Sequence, residues 1–321
     1  MPSELGPRTR REILAGLACA ALAPIEARTN AYNPKLVAQT YVWLLEMQFR
    51  NRALEEGLED IFTGTRRAGY RRLELMPALV ESKLREKTIA LLAANRLEPT
   101  IVYASGPVHE RDAGEKTRAQ VLETAAAMKA AGTGFVNFSP AAKPGEQRKA
   151  DEELETQAYQ LNRMGDELQK GGIQLLLHHH LPEMRDNARE WRYCLRRTET
   201  GLVRFCLDVD WASRAGMDPL ALMDEAGGRL ASLHLRNTRN GVSQEVLGDG
   251  DINMAKIATF LQQTFYGGFL VVELIHEKDT RRAHSLPTDL SLSRLYMQKV
   301  FSEQPGSTPV DFGPHVRTKE L

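Results

Sequence analysis

The sequence predicts an α/β protein folded as a (β/α)8 TIM barrel, and three observations point there. Eight short apolar runs start at residues 41, 71, 100, 135, 173, 203, 230 and 269, spaced 27 to 39 residues apart. That is the scale of a strand plus a crossover helix. Helix-period patterns fill the intervals, and strands alternating with helices make a parallel sheet covered on both faces. The 321 residues accommodate one barrel of about 250 residues with extensions. A doubly wound open sheet is the competing architecture. It usually has fewer strands, and its glycine-rich phosphate fingerprint is missing after the first run.

Taken in order, the chain begins with an address. Thr9-Arg10-Arg11-Glu12 precedes a short apolar stretch, Ile13–Ile25, and then Glu26-Ala27. Charged start, apolar middle and small-residue end predict a signal peptide over 1–27. The adjacent arginines resemble the twin-arginine export motif, so the mature protein is expected in the periplasm or outside the cell. A linker is expected over 28–37, the barrel over 38–302, and an irregular tail over 303–321, where Gln304-Pro305-Gly306-Ser307 breaks any regular element.

The first strand is read at Tyr41–Met47, and the next three at Arg71–Met76, Thr100–Tyr103 and Phe135–Phe138. The last four are read at Ile173–His180, Val203–Val209, Leu230–Leu235 and Phe269–Ile275. Helices are expected over Leu84–Asn95, Val121–Ala131 and Ile252–Gln262. Another spans Asp151–Gly171, with Leu154, Tyr159, Leu161, Met164 and Leu168 as its buried stripe. Gly171-Gly172 reads as its stop, and Asp218-Pro219 as an N-cap followed by proline at the first helical position.

Composition narrows the function. Lys+Arg and Asp+Glu are both 42, for zero formal net charge. That argues against a nucleic-acid partner, which needs a basic footprint. No apolar run reaches the ~18 residues of a membrane span. Three cysteines cannot build a disulfide framework. After cleavage at Ala27 only Cys194 and Cys206 remain, free to pair in an oxidising compartment.

In a barrel of this kind the site lies at the C-terminal ends of the strands. The fifth strand ends His178-His179-His180, and alternation puts His178 and His180 on one face. The sixth carries Asp208 and Asp210, the seventh His234 and Arg236, the eighth Glu273. An aspartate or glutamate in such apolar runs is costly to bury without a cation or hydrogen-bond partners. Two imidazoles and two carboxylates on one rim suit one divalent ion of Mn, Zn, Co or Fe. Weaker signals come from Glu74 in the second strand, His109 in the third loop and Asn137 in the fourth strand.

Several segments carry a resemblance. Leu177-His178-His179-His180, Leu207-Asp208-Val209-Asp210-Trp211, Ala215-Gly216-Met217-Asp218-Pro219, Leu233-His234-Leu235-Arg236 and Leu247-Gly248-Asp249-Gly250-Asp251-Ile252 occur in that order. Together they resemble the xylose isomerase-like TIM barrel superfamily, in its sugar phosphate isomerase/epimerase branch. The resemblance implies a divalent metal held by strands five to eight. Asp208, His234 and Glu273 match three of the four ligands. The first place, a glutamate in the best-known members, falls here to His178 or His180.

Such a site supports proton abstraction next to a carbonyl of a sugar or keto-sugar. The expected activity is metal-dependent isomerisation or epimerisation, with a 3-keto-sugar lyase or hydratase as the alternative on the same residues. The expected ligands are His178, Asp208, His234 and Glu273, with Glu273 and His180 as the acid/base pair. Arg236, Glu74, His109 and Trp211 are expected to meet a small carbohydrate substrate. A non-catalytic sugar-binding barrel is the rival of another class; a DNA-repair endonuclease fits the neutral charge poorly. An oligomer is compatible with all of this.

Overall fold

Inward-facing and outward-facing side chains alternate along the apolar runs, and that period of two builds a closed barrel. The computed structural model describes Tyr32 and residues 34–302. The expected signal at 1–27 and the tail at 303–321 lie outside the described residues. The strands are β1 (Lys35–Gln39), β2 (Arg72–Leu75), β3 (Glu98–Gly106), β4 (Phe135–Pro140), β5 (Gln174–Leu177), β6 (Val203–Asp208), β7 (Leu230–Leu235) and β8 (Phe269–Val272). They pair in parallel and close, β8 meeting β1. A two-stranded antiparallel ribbon, Thr238–Arg239 with Val242–Ser243, stands beyond β7.

Helices cover the outside: α1 (Tyr41–Phe49), α2 (Leu54–Arg67), α3 (Ser82–Ala94), α4 (Arg111–Lys129), α5 (Asp151–Lys170) and α6 (Leu181–Arg197). They continue with α7 (Val209–Arg214), α8 (Pro219–Ala226), α9 (Met254–Gln263) and α10 (Leu286–Ser302). The main core lies between strands and helices, where Leu73, Val102, Phe138, Leu175, Phe205, Leu207, Leu233 and Val272 are buried against residues such as Leu58, Leu161 and Trp191. Val37, Ile101, Phe269 and Val271 form a separate cluster, as do Leu176, Cys206 and Ala231. Both share Phe135 and lie on the alternate, inward positions of the strands. Above this apolar floor the inward positions turn polar.

Three readings of the sequence are corrected. The first strand is Lys35–Gln39, not Tyr41–Met47, so the barrel opens within the stretch read as a linker. Residues 41–49 are helix α1, burying Val42, Trp43, Glu46 and Met47 on one face. Spacing of one, three and one is a helical stripe that a short aromatic and β-branched run disguises as a strand. Tyr159 is 52% exposed; Leu154, Leu161, Met164 and Leu168 form the buried stripe without it. Cys194 and Cys206 are both free and buried. Cys194, on α6, meets Gln157 of α5, whereas Cys206 meets Asn137 inside the barrel, so the strand layer separates them.

The predicted helix ends agree with the structure. Asp218 caps α8 by accepting from the Leu220 N–H, with Pro219 at its first position. Gly172 follows α5 at φ +72, where a side chain would be strained.

Gly165 shows how closely α5 seats. A Cβ there would lie 2.6 Å from the Leu202 carbonyl oxygen, which is backbone and cannot swing away. Gly165→Val is therefore expected to destabilise the protein by on the order of 1–3 kcal/mol through overpacking. Urea unfolding measures it; an unchanged midpoint would contradict the close seat of α5.

Candidate active site

Strand register brings the polar residues to one level. Gln39 pairs with Glu74, Tyr103 with Asn137, and Asp208 with His234. Ser139 lies two residues beyond Asn137 and Arg236 two beyond His234, and His178 comes one residue after β5, its N–H bonded to the Phe138 carbonyl. Glu273 comes one residue after β8, its N–H bonded to the Leu235 carbonyl.

Asp208 is oriented from both sides. Its Oδ1 accepts the N–H groups of Asp210 and Trp211, each at 2.9 Å, which makes it the N-cap of α7. Its own N–H donates to Nε2 of His179 at 3.0 Å. His179 thus faces outward, behind the strand, and supports the site without entering it. Asp208 Oδ2 is left pointing inward, 3.7 Å from Nε2 of His178.

His234 is held by Glu74. Its Nε2 lies 3.0 Å from Glu74 Oε2, while Glu74 Oε1 accepts from Gln39 and Asn137. A ring nitrogen donating to a carboxylate fixes the tautomer and aims the other nitrogen. That other atom, Nδ1, faces Glu273 Oε2 at 3.4 Å. Glu74 is fully buried with both oxygens engaged by protein groups. The structure therefore gives it the task of orienting His234, where the sequence suggested contact with substrate.

Arg236 ties the carboxylates together. Its Nη1 donates to Asp208 Oδ2 at 2.6 Å and to Glu273 Oε2, and its Nε donates to Asp210 Oδ2 at 2.9 Å. The guanidinium lies 4.9 Å from the centre of the Trp211 ring. Nη2 is buried with no hydrogen-bond partner.

His180 stands at the mouth, only partly buried. Its Nδ1 is 3.0 Å from Ser139 Oγ and its Nε2 is 3.4 Å from the Tyr103 hydroxyl. Trp211 meets it edge-on, at 5.9 Å between ring centres.

The electrostatics divide the residues into roles. Burial opposes ionisation of Asp208, but Arg236, then His178 and His234, hold its carboxyl well below the usual range. Burial, reinforced by His234, lowers His178 well below an ordinary histidine, which leaves it a neutral imidazole. Burial also opposes charge on His234, yet Cys206, Glu74 and Glu273 outweigh it and raise that pKa well above the ordinary value. The Cys206 thiol is itself pushed up by burial, so the two carboxylates are the physical source of the effect. Burial lowers His180 as well.

The donor set fits a divalent ion. Ligand-capable atoms of His178, Asp208 and His234 lie within 4.8 Å of one another, with Glu273 at the side. His178 Nε2 and His234 Nδ1 are buried and have no hydrogen-bond partner. Burying such atoms unsatisfied costs about 1–3 kcal/mol each, so they point to a ligand. Between the two histidines left open by the sequence, the geometry brings His178 into the cluster and leaves His180 outside it.

His109 is not brought to the others. It is 5% exposed, its nearest charged partner is Glu110 at 3.6 Å, and burial followed by Lys149 lowers its pKa. Asn137, another of the weaker signals, is bonded within the interior, donating to Glu74 Oε1. Tyr103 and Ser139 were not singled out from the sequence. The available signal was alternation: Tyr103 follows Ile101, and Ser139 follows Asn137, by two residues on strands already recognised.

Comparison with known proteins agrees with the closed eight-stranded barrel. The family profile described as xylose isomerase-like TIM barrel matches residues 62–294. The chain belongs to that family. Among curated proteins, an inosose dehydratase of Geobacillus kaustophilus is 27% identical over 172 residues, 47% of this chain and 55% of that protein. An inosose dehydratase of Lacticaseibacillus casei is 26% identical over 152 residues, 42% and 50% of the two chains. The chain thus spans about half the length of the curated relatives it matches. Among solved structures, a D-allulose 3-epimerase from Methylomonas sp. superposes with TM-score 0.67 at 16% identity, over 84% of this chain and 99% of that one. A 3-keto-D-glucoside 4-epimerase from E. coli gives 0.63 at 14% identity, over 83% and 100%. At these identities the structures share the fold.

Two outcomes are expected. Arg236→Gln removes the cation that Asp208 and Glu273 share and leaves two buried carboxylates facing each other. A loss of about 3–5 kcal/mol in urea unfolding of metal-free protein is expected; a loss below about 1 kcal/mol would contradict the bridge. The second concerns His179, whose pKa burial lowers from 6.5 to about 3. Below its ordinary value the unfolded chain takes up a proton that the folded chain refuses. Stability present above pH 6.5 is therefore lost as the pH falls towards 3, by ~1.4 kcal/mol per pH unit. His179→Gln should flatten the dependence of unfolding free energy on pH by about one proton between roughly pH 4 and 6. Equal slopes would mean that His179 titrates normally.

Proposed function

We propose that the protein is a divalent-metal-dependent enzyme that removes a proton next to a carbonyl of a sugar or keto-sugar, as an isomerase or epimerase. One observation carries this reading. Two buried imidazole nitrogens, His178 Nε2 and His234 Nδ1, and one guanidinium nitrogen, Arg236 Nη2, all lack partners within a few ångströms of Asp208 and Glu273. The protein does not satisfy these atoms itself. A cation and a polyhydroxylated ligand would.

His178, Asp208, His234 and Glu273 would hold the ion, one of Mn, Zn, Co or Fe given the mixed imidazole and carboxylate donors. When bound it supplies Lewis-acid polarisation of the substrate carbonyl and of the hydroxyl beside it. Arg236 Nη2 donates to a substrate oxygen, and the Trp211 ring gives one face of the sugar an apolar surface. Glu273 takes the proton. His180, oriented by Ser139 and Tyr103 at the mouth, moves a proton to or from the opposite side. Return of the proton to the neighbouring carbon or the other face makes an isomerase or an epimerase. Departure of a neighbouring hydroxyl makes a dehydratase, a second reading favoured by the inosose dehydratases among the relatives.

The twin-arginine pattern supports a setting outside the cytoplasm, where a free or oxidised sugar is a better substrate than a sugar phosphate. No helix among the described residues is long and apolar enough to cross a membrane.

Elemental analysis and solvent deuterium exchange test the reading together. Wild type should carry a divalent metal that Asp208→Ala loses, and should wash deuterium into some member of a panel of ketoses, 3-keto-sugars and inososes. Glu273→Gln should slow that exchange by about 10²–10⁴-fold. New epimer or isomer in the products supports the first reading, and an unsaturated product the second. A metal-loaded wild type that exchanges no proton with any of them would overturn both.

A further inference from the structure

A second group of metal-capable side chains lies outside the site just described. Glu245 follows the ribbon between β7 and α9, His284 sits in the segment between β8 and α10, and Asp289 is in the first turn of α10. Their ligand-capable atoms lie within 4.8 Å of one another. We propose that Glu245, His284 and Asp289 form a second divalent-cation site that fastens these three segments together beside the mouth of the barrel.

The geometry converges on one imidazole nitrogen. His284 Nδ1 is 3.4 Å from Glu245 Oε2 and 3.3 Å from Asp289 Oδ1. Ligands bound at ~2.1 Å to a tetrahedral ion stand roughly 3.4 Å apart, so the spacing is that of neighbours around a metal. Glu245 is already aimed. Its Oε1 accepts the N–H groups of Ala283 and His284, at 2.6 and 2.7 Å, which leaves Oε2 for the shared position. His276 steadies the same residue, its Nε2 lying 3.0 Å from the Glu245 carbonyl oxygen.

An independent observation points to a ligand. Asp289 is 1% exposed, and its Oδ1, on the side of His284, is buried with no hydrogen-bond partner. A buried carboxylate oxygen without a partner is costly, and a second carboxylate opposite it adds repulsion. Among the described residues, no lysine or arginine is ion-paired with either acid. Arg282, whose field reaches Asp289, is paired with Glu46. One dication neutralises two carboxylates, and the partly exposed rim of Glu245 and His284 leaves room for water as a further ligand. One imidazole and two carboxylates suit Zn or Mn better than Mg or Ca, which prefer oxygen alone.

The site uses none of the four residues assigned to the catalytic metal. It would hold the segment from Glu273 to Leu286, which lacks regular structure over most of its length, and that segment begins with the proposed base.

The test counts ions in chelator-stripped protein equilibrated with zinc and gel-filtered. His284 is exposed, so His284→Ala should fold, which an unchanged melting temperature in chelator would establish. Wild type should hold about two zinc ions per chain, Asp208→Ala and His284→Ala about one each, and the double variant none. Zinc should raise the melting temperature of Asp208→Ala but not that of the double variant. If wild type holds one ion, its loss in His284→Ala still supports this site, and its loss in Asp208→Ala with none lost in His284→Ala overturns it. The proposal is overturned if His284→Ala keeps the wild-type count and zinc shifts Asp208→Ala and the double variant equally.

Discussion

The mouth of this barrel is organised by the need to neutralise carboxylates that the fold buries. Asp208, Asp210, Glu74 and Glu273 are all at least nine-tenths removed from solvent. Carboxylates in so dry a setting demand cations or several hydrogen bonds each. Arg236 meets most of that demand, bridging Asp208 to Glu273 with one nitrogen and holding Asp210 with another. The bridge joins the ends of β6, β7 and β8, so it also sets the distance between the groups proposed to hold a metal.

A second layer aims the first. Glu74 holds His234 from beneath, His179 holds the backbone of Asp208 from behind, and Ser139 and Tyr103 hold His180 at the rim. The support of His234 acts on the ring nitrogen facing away from the centre and leaves its Nδ1 without a hydrogen-bond partner. The result is a set of nitrogens whose direction is fixed and whose bonding is incomplete. Preorganisation of this kind lets a site act on developing charge without first rearranging.

The polar mouth rests on an apolar floor, and the two are made by the same strands. Val37, Ile101 and Val271 face inward at the lower level, and Gln39, Tyr103 and Glu273 occupy the positions two residues on. Chain direction alone separates the stabilising half of the interior from the reactive half. Substitutions in the floor are therefore expected to act through stability, and those two residues later through the proposed chemistry.

Much of this was legible in the sequence, because a parallel barrel repeats one local rule. Spacing of the apolar runs reports a strand and its crossover helix, and alternation along a strand reports which residues share the interior. Seven of the eight runs were placed correctly on that basis, with Asp208, His234, Arg236 and Glu273 at strand ends. The first was not, since Tyr41–Met47 and Lys35–Gln39 are both short and apolar, and only the neighbours β8 and β2 select the strand. Contacts across the barrel were equally hidden. Glu74 and His234 are 160 residues apart, and no local pattern says that one orients the other. Nor could sequence choose His178 over His180: alternation puts both on one face, and only depth, set by where β5 ends at Leu177, separates the buried ligand candidate from the partly buried one at the mouth. Sequence periodicity determined the barrel and the residues at its rim. Long-range packing decided what each of them touches, because closing the barrel makes neighbours of strands far apart in the chain.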